Sequence, residues 1–436
     1  MKPLSLPRRF EFSAVSLLPF LCLVLVLLSV SYRGMHVTRV IWSDAEGYYL
    51  YLPALLIHGG FEGFLAKTGS SQFQFYPGTE KIFTPYTCGV ALLQLPFFLL
   101  AHVYALLTDA PATGYSAPYA IAIKLAAAFY ATLACYLLFR VIRRHFSTAV
   151  ALLNLTCLYL GTNLFYYTVV ESGMSHVYSF FLVSLLLYLT PRLLSDNSTR
   201  GIFVLYGVCC GLIALIRPNN AVFGLYLLLY EVHSWSQFKA RILHIVRHFG
   251  SFCLIPLAAL PLLFPQMLYW HHVTGHWIMY SYGNQSFIYW NEPKVLQVLF
   301  SSRNGWLLYS PIMLFALVGL FEALFKRRFS SIAVLIILAA AIYVFSSWWS
   351  WWFGGAFGHR CFVEYLPLLA LPLAYFINFL LRSGYRINYV MGAFMLFFIF
   401  YNLKLTYIYW GPFHYAFAAT TWPEFFGLLN LLFAPA

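Results

Sequence analysis

Long apolar runs alternate with short polar breaks along this chain, and the breaks themselves fall into two classes. The runs are continuous and do not alternate with period two, which excludes a β-barrel and predicts membrane-spanning helices. The predicted spans are 12–32, 117–139, 149–168, 173–190, 201–216, 220–231, 250–270, 307–325, 331–347, 361–380 and 387–409. One class of break is short and basic: Arg140, Arg143 and Arg144; Arg192 and Arg200; Lys239, Arg241 and Arg247; Lys326, Arg327 and Arg328; Arg382 and Arg386. With Lys2, Arg8 and Arg9 it holds most of the 26 basic residues, as cytoplasmic loops do. The other class is longer and rich in Tyr, Trp, Gly and Asn: 33–116, 271–306, 348–360 and 410–436. These are the expected outer segments.

Residues 84–107 are apolar enough to span, but Pro96 interrupts them. Counting them as a crossing would place Arg140, Arg143 and Arg144 outside, against the charge rule. The expectation is a broken juxtamembrane or re-entrant helix pair. The predicted fold is an all-α polytopic transmembrane bundle of about eleven spans, a single domain over 1–436. Its N-terminus is expected inside and its C-terminus outside. Outer loops cover 33–116, with juxtamembrane helices, and 271–306; 410–436 is expected to lie at the interface. No cleavable leader is expected, because no small-x-small site follows the first run.

Composition agrees with lipid as the solvent. Hydrophobic residues make up 62% and charged residues 9% of the 436 residues, where soluble domains carry about 25% charged. The net charge of +13 is scattered between apolar runs, so it reads as topology and not as a nucleic-acid surface. Six of the eight Cys (22, 135, 157, 209, 210 and 253) lie in apolar runs, and there is no CxxC. They read as packing thiols; Cys88 and Cys361 are expected near the outer surface.

Ionisable groups at a membrane boundary that face protein are functional candidates. Asp44 and Glu46 follow the first helix in IWSDAEGYYLYLPALL, with Tyr48 beside them; Asp44 or Ser43 could alternatively cap the next helix. Glu171 lies in YYTVVESGMSHVYSF, with His176; here a cap and a satisfied core histidine are the alternatives. Arg217, in GLIALIRPNNAVF, breaks an apolar stretch. Its planar fork suits a phosphate, and the alternatives are a snorkelling side chain or a pair with Glu171. Arg303 and Asn304 precede a helix in SSRNGWLLYSP. SSWWSWWFGGAFGHRCFVEYLP places Trp351 and Trp352 ahead of His359, Arg360 and Glu364. These tryptophans form either an aromatic belt or the wall of a sugar or isoprenoid groove.

Taken in order, the acidic motif at 44–46, the juxtamembrane elements at 48–107, the acidic turn at Glu171, the LIRPNN break and the GGAFGHR segment resemble the GT-C-type membrane glycosyltransferases. That superfamily includes protein O-mannosyltransferases and lipid A aminoarabinose transferases. Against the better-known members, no large soluble C-terminal domain is expected here, Glu stands at 171 and there is no DE doublet at 44.

The resemblance implies transfer of a sugar from a polyprenyl-phosphate donor to a lipid, glycan or protein acceptor on the non-cytoplasmic face. In that scheme Asp44 is the general base, and Glu46 and Glu171 are orienting carboxylates or ligands of a divalent metal ion. Arg217, Arg360, Arg303 and His359 would face the donor phosphate, with Arg217 and Arg360 first. Tyr48, His176, Asn304, Trp351 and Trp352 would line the substrate groove. A bacterial inner membrane, with the site on its periplasmic side, suits the short loops and basic N-terminus. Three other readings stay open at this point: a lipid or glycan transporter or flippase, an O-antigen-ligase-like enzyme, and a non-catalytic scaffold.

Overall fold

The computed structural model describes residues 18–31, 40–62, 74–383, 386–409 and 420–433. The basic N-terminus, 12–17 of the first predicted span, and 33–39, 63–73 and 410–419 of the predicted outer segments lie outside the described residues. So do 384–385 and 434–436. The principal apolar helices are α1 (Leu18–Ser31), α2 (Gly89–Leu107), α3 (Ala117–Ile142), α4 (Thr148–Leu160), α5 (Ser175–Leu193) and α6 (Arg200–Ile216). They continue with α7 (Leu254–Thr274), α8 (Met313–Phe325), α9 (Ser331–Ser347), α10 (Leu366–Ser383) and α11 (Ile387–Tyr409). A two-residue antiparallel hairpin, Gln74–Phe75 with Ile82–Phe83, is the sheet among the described residues.

Among the described residues, six segments are long and apolar enough to cross a membrane: Gly89–Leu107, Ala117–Ile142, Ser175–Leu193, Phe249–Thr274, Arg360–Arg382 and Ile387–Tyr409. Helices α4, α6, α8 and α9 are apolar but shorter. The described residues thus do not confirm the expected count of eleven spans. Two predicted elements differ outright.

Residues 84–107 are not a broken pair. Helix α2 runs continuously through Pro96. A proline removes one backbone donor, and in apolar surroundings no water competes for the remaining hydrogen bonds. Conversely, 220–231 is not a span. Pro218 biases its predecessor to extended backbone, and Arg217 sits at φ −150° and ψ 115°. A 3₁₀ turn, Pro218–Gly224, and a five-residue helix, Leu225–Leu229, follow. These are far short of the roughly 20 residues a crossing needs.

Small residues let the helices approach closely, as membrane bundles favour. A Cβ on Gly207 would lie 2.4 Å from the Ile255 carbonyl oxygen, and one on Gly319 would lie 2.1 Å from that of Pro372. Both obstacles are backbone, so neither can swing aside. Gly319→Ala is expected to force α8 off α10 and cost about 1–3 kcal/mol, the range for overpacking. A lowered thermal midpoint in detergent, with no fall for Gly392→Ala at an open position, is the outcome to look for.

Hairpin α2–α3 is antiparallel. The Tyr130 hydroxyl donates to the Leu93 carbonyl (2.9 Å), and the His102 ring lies 2.6 Å from the Tyr119 hydroxyl. Outward faces stay apolar: Leu99, Leu100, Val103 and Leu107 on α2, and Leu257, Leu260 and Phe264 on α7, are exposed. At one end of the bundle the helices unwind. The turn 170–174, the 3₁₀ turn after α6 and a second one, Arg360–Tyr365, ahead of α10 meet the short helix Ser43–Tyr49.

Candidate functional site

Asp44 stands in the first turn of Ser43–Tyr49, whose start is made by extended Trp42 and has no side-chain cap hydrogen bond. The alternative role of Asp44 or Ser43 as a cap is therefore absent. The carboxylate turns to other elements. Its Oδ2 pairs with Arg360 Nη1 at 2.8 Å, and its Oδ1 accepts a hydrogen bond from the Tyr86 hydroxyl at 2.6 Å. Burial works against ionisation here, but Arg360 and the Tyr86 hydroxyl outweigh it and hold Asp44 below its ordinary value.

Tyr86 can come this close because residue 47 is glycine. A Cβ at Gly47 would lie 2.1 Å from the Tyr86 ring. Tyr48 packs on the same ring, centroids 4.6 Å apart.

A second pair sits one turn along from Arg360. Arg217 Nη1 donates to Glu364 Oε1 at 2.9 Å and to the Cys361 sulfur at 3.0 Å. His176 Nδ1 is 3.2 Å from the same Glu364 oxygen, and Asn220 Nδ2 donates to the other. The sequence motif LIRPNN thus becomes intelligible: the extended backbone at Arg217 and the 3₁₀ turn after it aim Arg217 and Asn220 at one carboxylate. Arg217 pairs with Glu364 and not, as the sequence alternative had it, with Glu171. Cys361 is buried beside this pair, and Cys88 is also buried.

Exposure sorts the groups into two layers. The side chains of Glu364 and His176 are 0% and 2% exposed, whereas those of Arg217, Arg360 and Asp44 are 14%, 16% and 20% exposed. Asp44 and the two guanidiniums form the open layer, and Glu364 with His176 and Asn220 backs Arg217 from behind. His176 also meets the Tyr167 ring edge-on.

Glu171 occupies the turn 170–174, buried, and caps nothing: α5 begins after Met174 without a side-chain cap. Its Oε1 accepts from the Tyr166 hydroxyl at 3.1 Å, while Oε2 is buried without a hydrogen-bond partner among the described residues. Arg360 Nε is in the same condition. Burial lifts Glu171 to about 7 from its ordinary 4.5, against the opposing Arg360 charge and the Tyr166 hydrogen bond. A carboxyl raised on folding stabilises most below its unfolded value and loses that contribution as pH rises through its folded one. Wild-type stability is therefore expected to fall between about pH 4.5 and 7 relative to Glu171→Gln. Thermal midpoints of both proteins across that range check it.

The other sequence candidates are placed differently. Glu46 is half-buried beside Tyr115, two positions from Asp44 and so on another face of its helix. Arg303 lies 4.1 Å over the Trp352 ring. Asn304, left-handed at φ 63°, donates to the carbonyls of Trp352 and Gly354. His359 is buried among the rings of Phe345, Phe353 and Phe362, with Nε2 3.1 Å from the Trp351 carbonyl. Trp351 and Trp352 are half-buried, their rings 5.5 Å apart. These contacts fasten the 348–360 loop that delivers Arg360.

The sequence marks Glu364 as a candidate ionisable group at the membrane boundary without naming its partners, and it gives no role to Tyr86, Asn220 or Tyr166. Asn220 stood in a quoted motif and Glu364 four residues past Arg360. For Tyr86 the sequence held no signal. Tyr282, from the loop after α7, also comes within electrostatic reach of Arg217, Asp44 and Arg360.

No family model and no curated protein sequence matches this chain. Its fold does match a solved structure, the archaeal oligosaccharyltransferase AglB from Archaeoglobus fulgidus in complex with an inhibitory peptide and a dolichol-phosphate. The TM-score is 0.52 over 94% of this chain at 14% identity, and the chain spans 56% of that protein's length. At that identity the likeness is one of fold alone.

Proposed function

We propose that this protein is a membrane glycosyltransferase that moves a sugar from a polyprenyl-phosphate donor to an acceptor hydroxyl. The observation that carries the reading is the open layer of Asp44, Arg360 and Arg217, gathered where the helices of a GT-C-type bundle unwind. Two guanidiniums matched to one lipid phosphate, and a carboxylate beside them, are what such a transfer requires.

The ion pair between Asp44 and Arg360 supplies the order of events. A donor phosphate entering between Arg217 and Arg360 competes with Asp44 for the Arg360 fork. As Arg360 turns to the phosphate, Asp44 loses the charge that holds its basicity down. The acceptor oxygen then attacks the anomeric carbon and its proton passes to Asp44. The bond from that carbon to the phosphate oxygen breaks, its electron pair leaving on the phosphate, where Arg217 and Arg360 stabilise the added charge. One displacement inverts the anomeric centre.

A divalent metal has few ligands here. Among the described residues no three His, Cys, Asp or Glu side chains gather into a metal-binding group. Asp44 has both oxygens engaged and Glu171 has one to offer. The steps therefore rest on the chain's own groups. In this reading Glu171 and Tyr48 border the acceptor side, the single bundle carries the whole site, and the basic loops lie on the opposite, cytoplasmic side of a bacterial inner membrane.

The test is transfer or release of radiolabelled sugar from a panel of polyprenyl-phosphate hexoses and pentoses by the protein in nanodiscs. Gly47→Ala and Tyr86→Phe are both expected to fold and to lose about tenfold or more, because each removes a hydrogen bond to a charged group worth about 1.5–3 kcal/mol. An anomer of retained configuration would contradict the single displacement.

A further inference from the structure

The helix Trp235–Arg247 takes no part in the site. Its start is fixed locally: Ser234 Oγ accepts from the Gln237 N–H at 3.2 Å, and the Gln237 side chain accepts from the His233 N–H at 2.6 Å. At 3.6 residues per turn, Trp235, Phe238, Ile242, Ile245 and Val246 share one face, which Phe249 extends. None of the helix's residues is buried, and Trp235, Val246 and Phe249 are 67%, 61% and 66% exposed. Lys239 borders this apolar face on one side and Arg241 on the other; Arg247 and His244 lie behind, and the helix holds no acidic residue.

Two neighbours say what covers that face. The apolar segment Phe249–Thr274 follows directly and is itself long enough to cross a membrane, so the face continues a lipid-facing surface. Arg241 Nη2 donates to the Tyr230 carbonyl at 3.0 Å, and Tyr230 lies within electrostatic reach of Arg144. There Arg144 and Arg192 share one residue. Their guanidinium carbons stand 5.4 and 3.8 Å from the Tyr188 ring, and both donate to its carbonyl, at 3.4 and 3.2 Å. Glu231 is the carboxylate within reach of Arg241, so this belt keeps a positive balance. It lies at the Arg200 end of α6, beside Asp196, whereas Arg217 stands at the other end.

We propose that Trp235–Arg247 lies in the headgroup layer of the membrane and, with Arg144 and Arg192, holds anionic phospholipid headgroups at the end of the bundle remote from Asp44. Each Lys or Arg held at an anionic surface strengthens the attraction about fivefold. A protein partner would need acidic groups to meet the belt and an apolar surface continuous with lipid; the membrane supplies both.

Nanodiscs made with acyl-brominated phosphatidylcholine and phosphatidylglycerol test this on the whole chain. The difference in emission between wild type and Trp235→Phe isolates Trp235. Its emission is expected to be quenched by the brominated lipids and to ignore iodide in the water. Native mass spectrometry gives the second readout: Lys239→Gln with Arg247→Gln is expected to retain phosphatidylglycerol less tightly, by about fivefold per charge. Quenching by iodide alone would put the face in water, and quenching by neither agent would mean a second protein chain covers it. Either result overturns the proposal, as does unchanged phosphatidylglycerol retention.

Discussion

Asp44→Asn is expected to abolish sugar transfer while the protein still purifies as a folded monodisperse species. Removing a general base typically costs 10²–10⁴-fold, about 3–5 kcal/mol of barrier. The substitution keeps the shape of the side chain and its contact with Tyr86, but it cannot take the acceptor proton. Asp44 is partly open and lies on a short helix outside the long apolar segments, so the fold is expected to survive the loss of its pair with Arg360. The measurement is turnover of polyprenyl-phosphate sugar alongside size-exclusion chromatography of the same sample. Full turnover by a well-folded Asp44→Asn protein would leave the mechanism without a base.

Glu364→Ala has the largest expected effect on stability. Glu364 is completely buried and serves Arg217, His176 and Asn220 at once. Its removal strands a mostly buried guanidinium and two polar groups. Breaking a buried pair from one side costs about 3–5 kcal/mol, because the remaining charge stays desolvated. Glu364→Gln keeps one acceptor oxygen for Arg217 and His176 and is expected to lose less. Combining Glu364→Gln with Arg217→Gln is expected to recover part of the loss, since no lone charge remains. Thermal midpoints of the four proteins in one detergent decide this. An unchanged midpoint for Glu364→Ala would mean that Arg217 is held by something other than this carboxylate.

How far the sequence carried can be seen at particular residues. Helices α3, α5 and α11 were legible because apolar composition decides membrane helices and lipid imposes their length. At 84–107 the break expected at Pro96 is absent, because an apolar helix gives up one hydrogen bond and continues. The reverse error fell on 220–231, where composition was apolar enough but Arg217 and Pro218 set the backbone against a helix. At the site, Asp44, Arg217 and Arg360 stood out as charges in apolar surroundings. Their pairing did not, because Arg217 and Glu364 lie 147 positions apart and only packing decides which distant carboxylate meets which guanidinium. Glu364 stands out in the sequence as a boundary acid, but nothing there names its three partners. Tyr86 carried no charge to mark it, and its role depends on the missing side chain at Gly47.

The most direct measurement is a structure of the protein in nanodiscs with a polyprenyl phosphate bound. The expected density is a phosphate within hydrogen-bonding reach of Arg217 and Arg360, with Arg360 drawn away from Asp44 and the lipid chain leaving along the apolar surface. A phosphate bound elsewhere, with the pair between Asp44 and Arg360 intact, would contradict the account. It would return these charges to a purely structural or transport role.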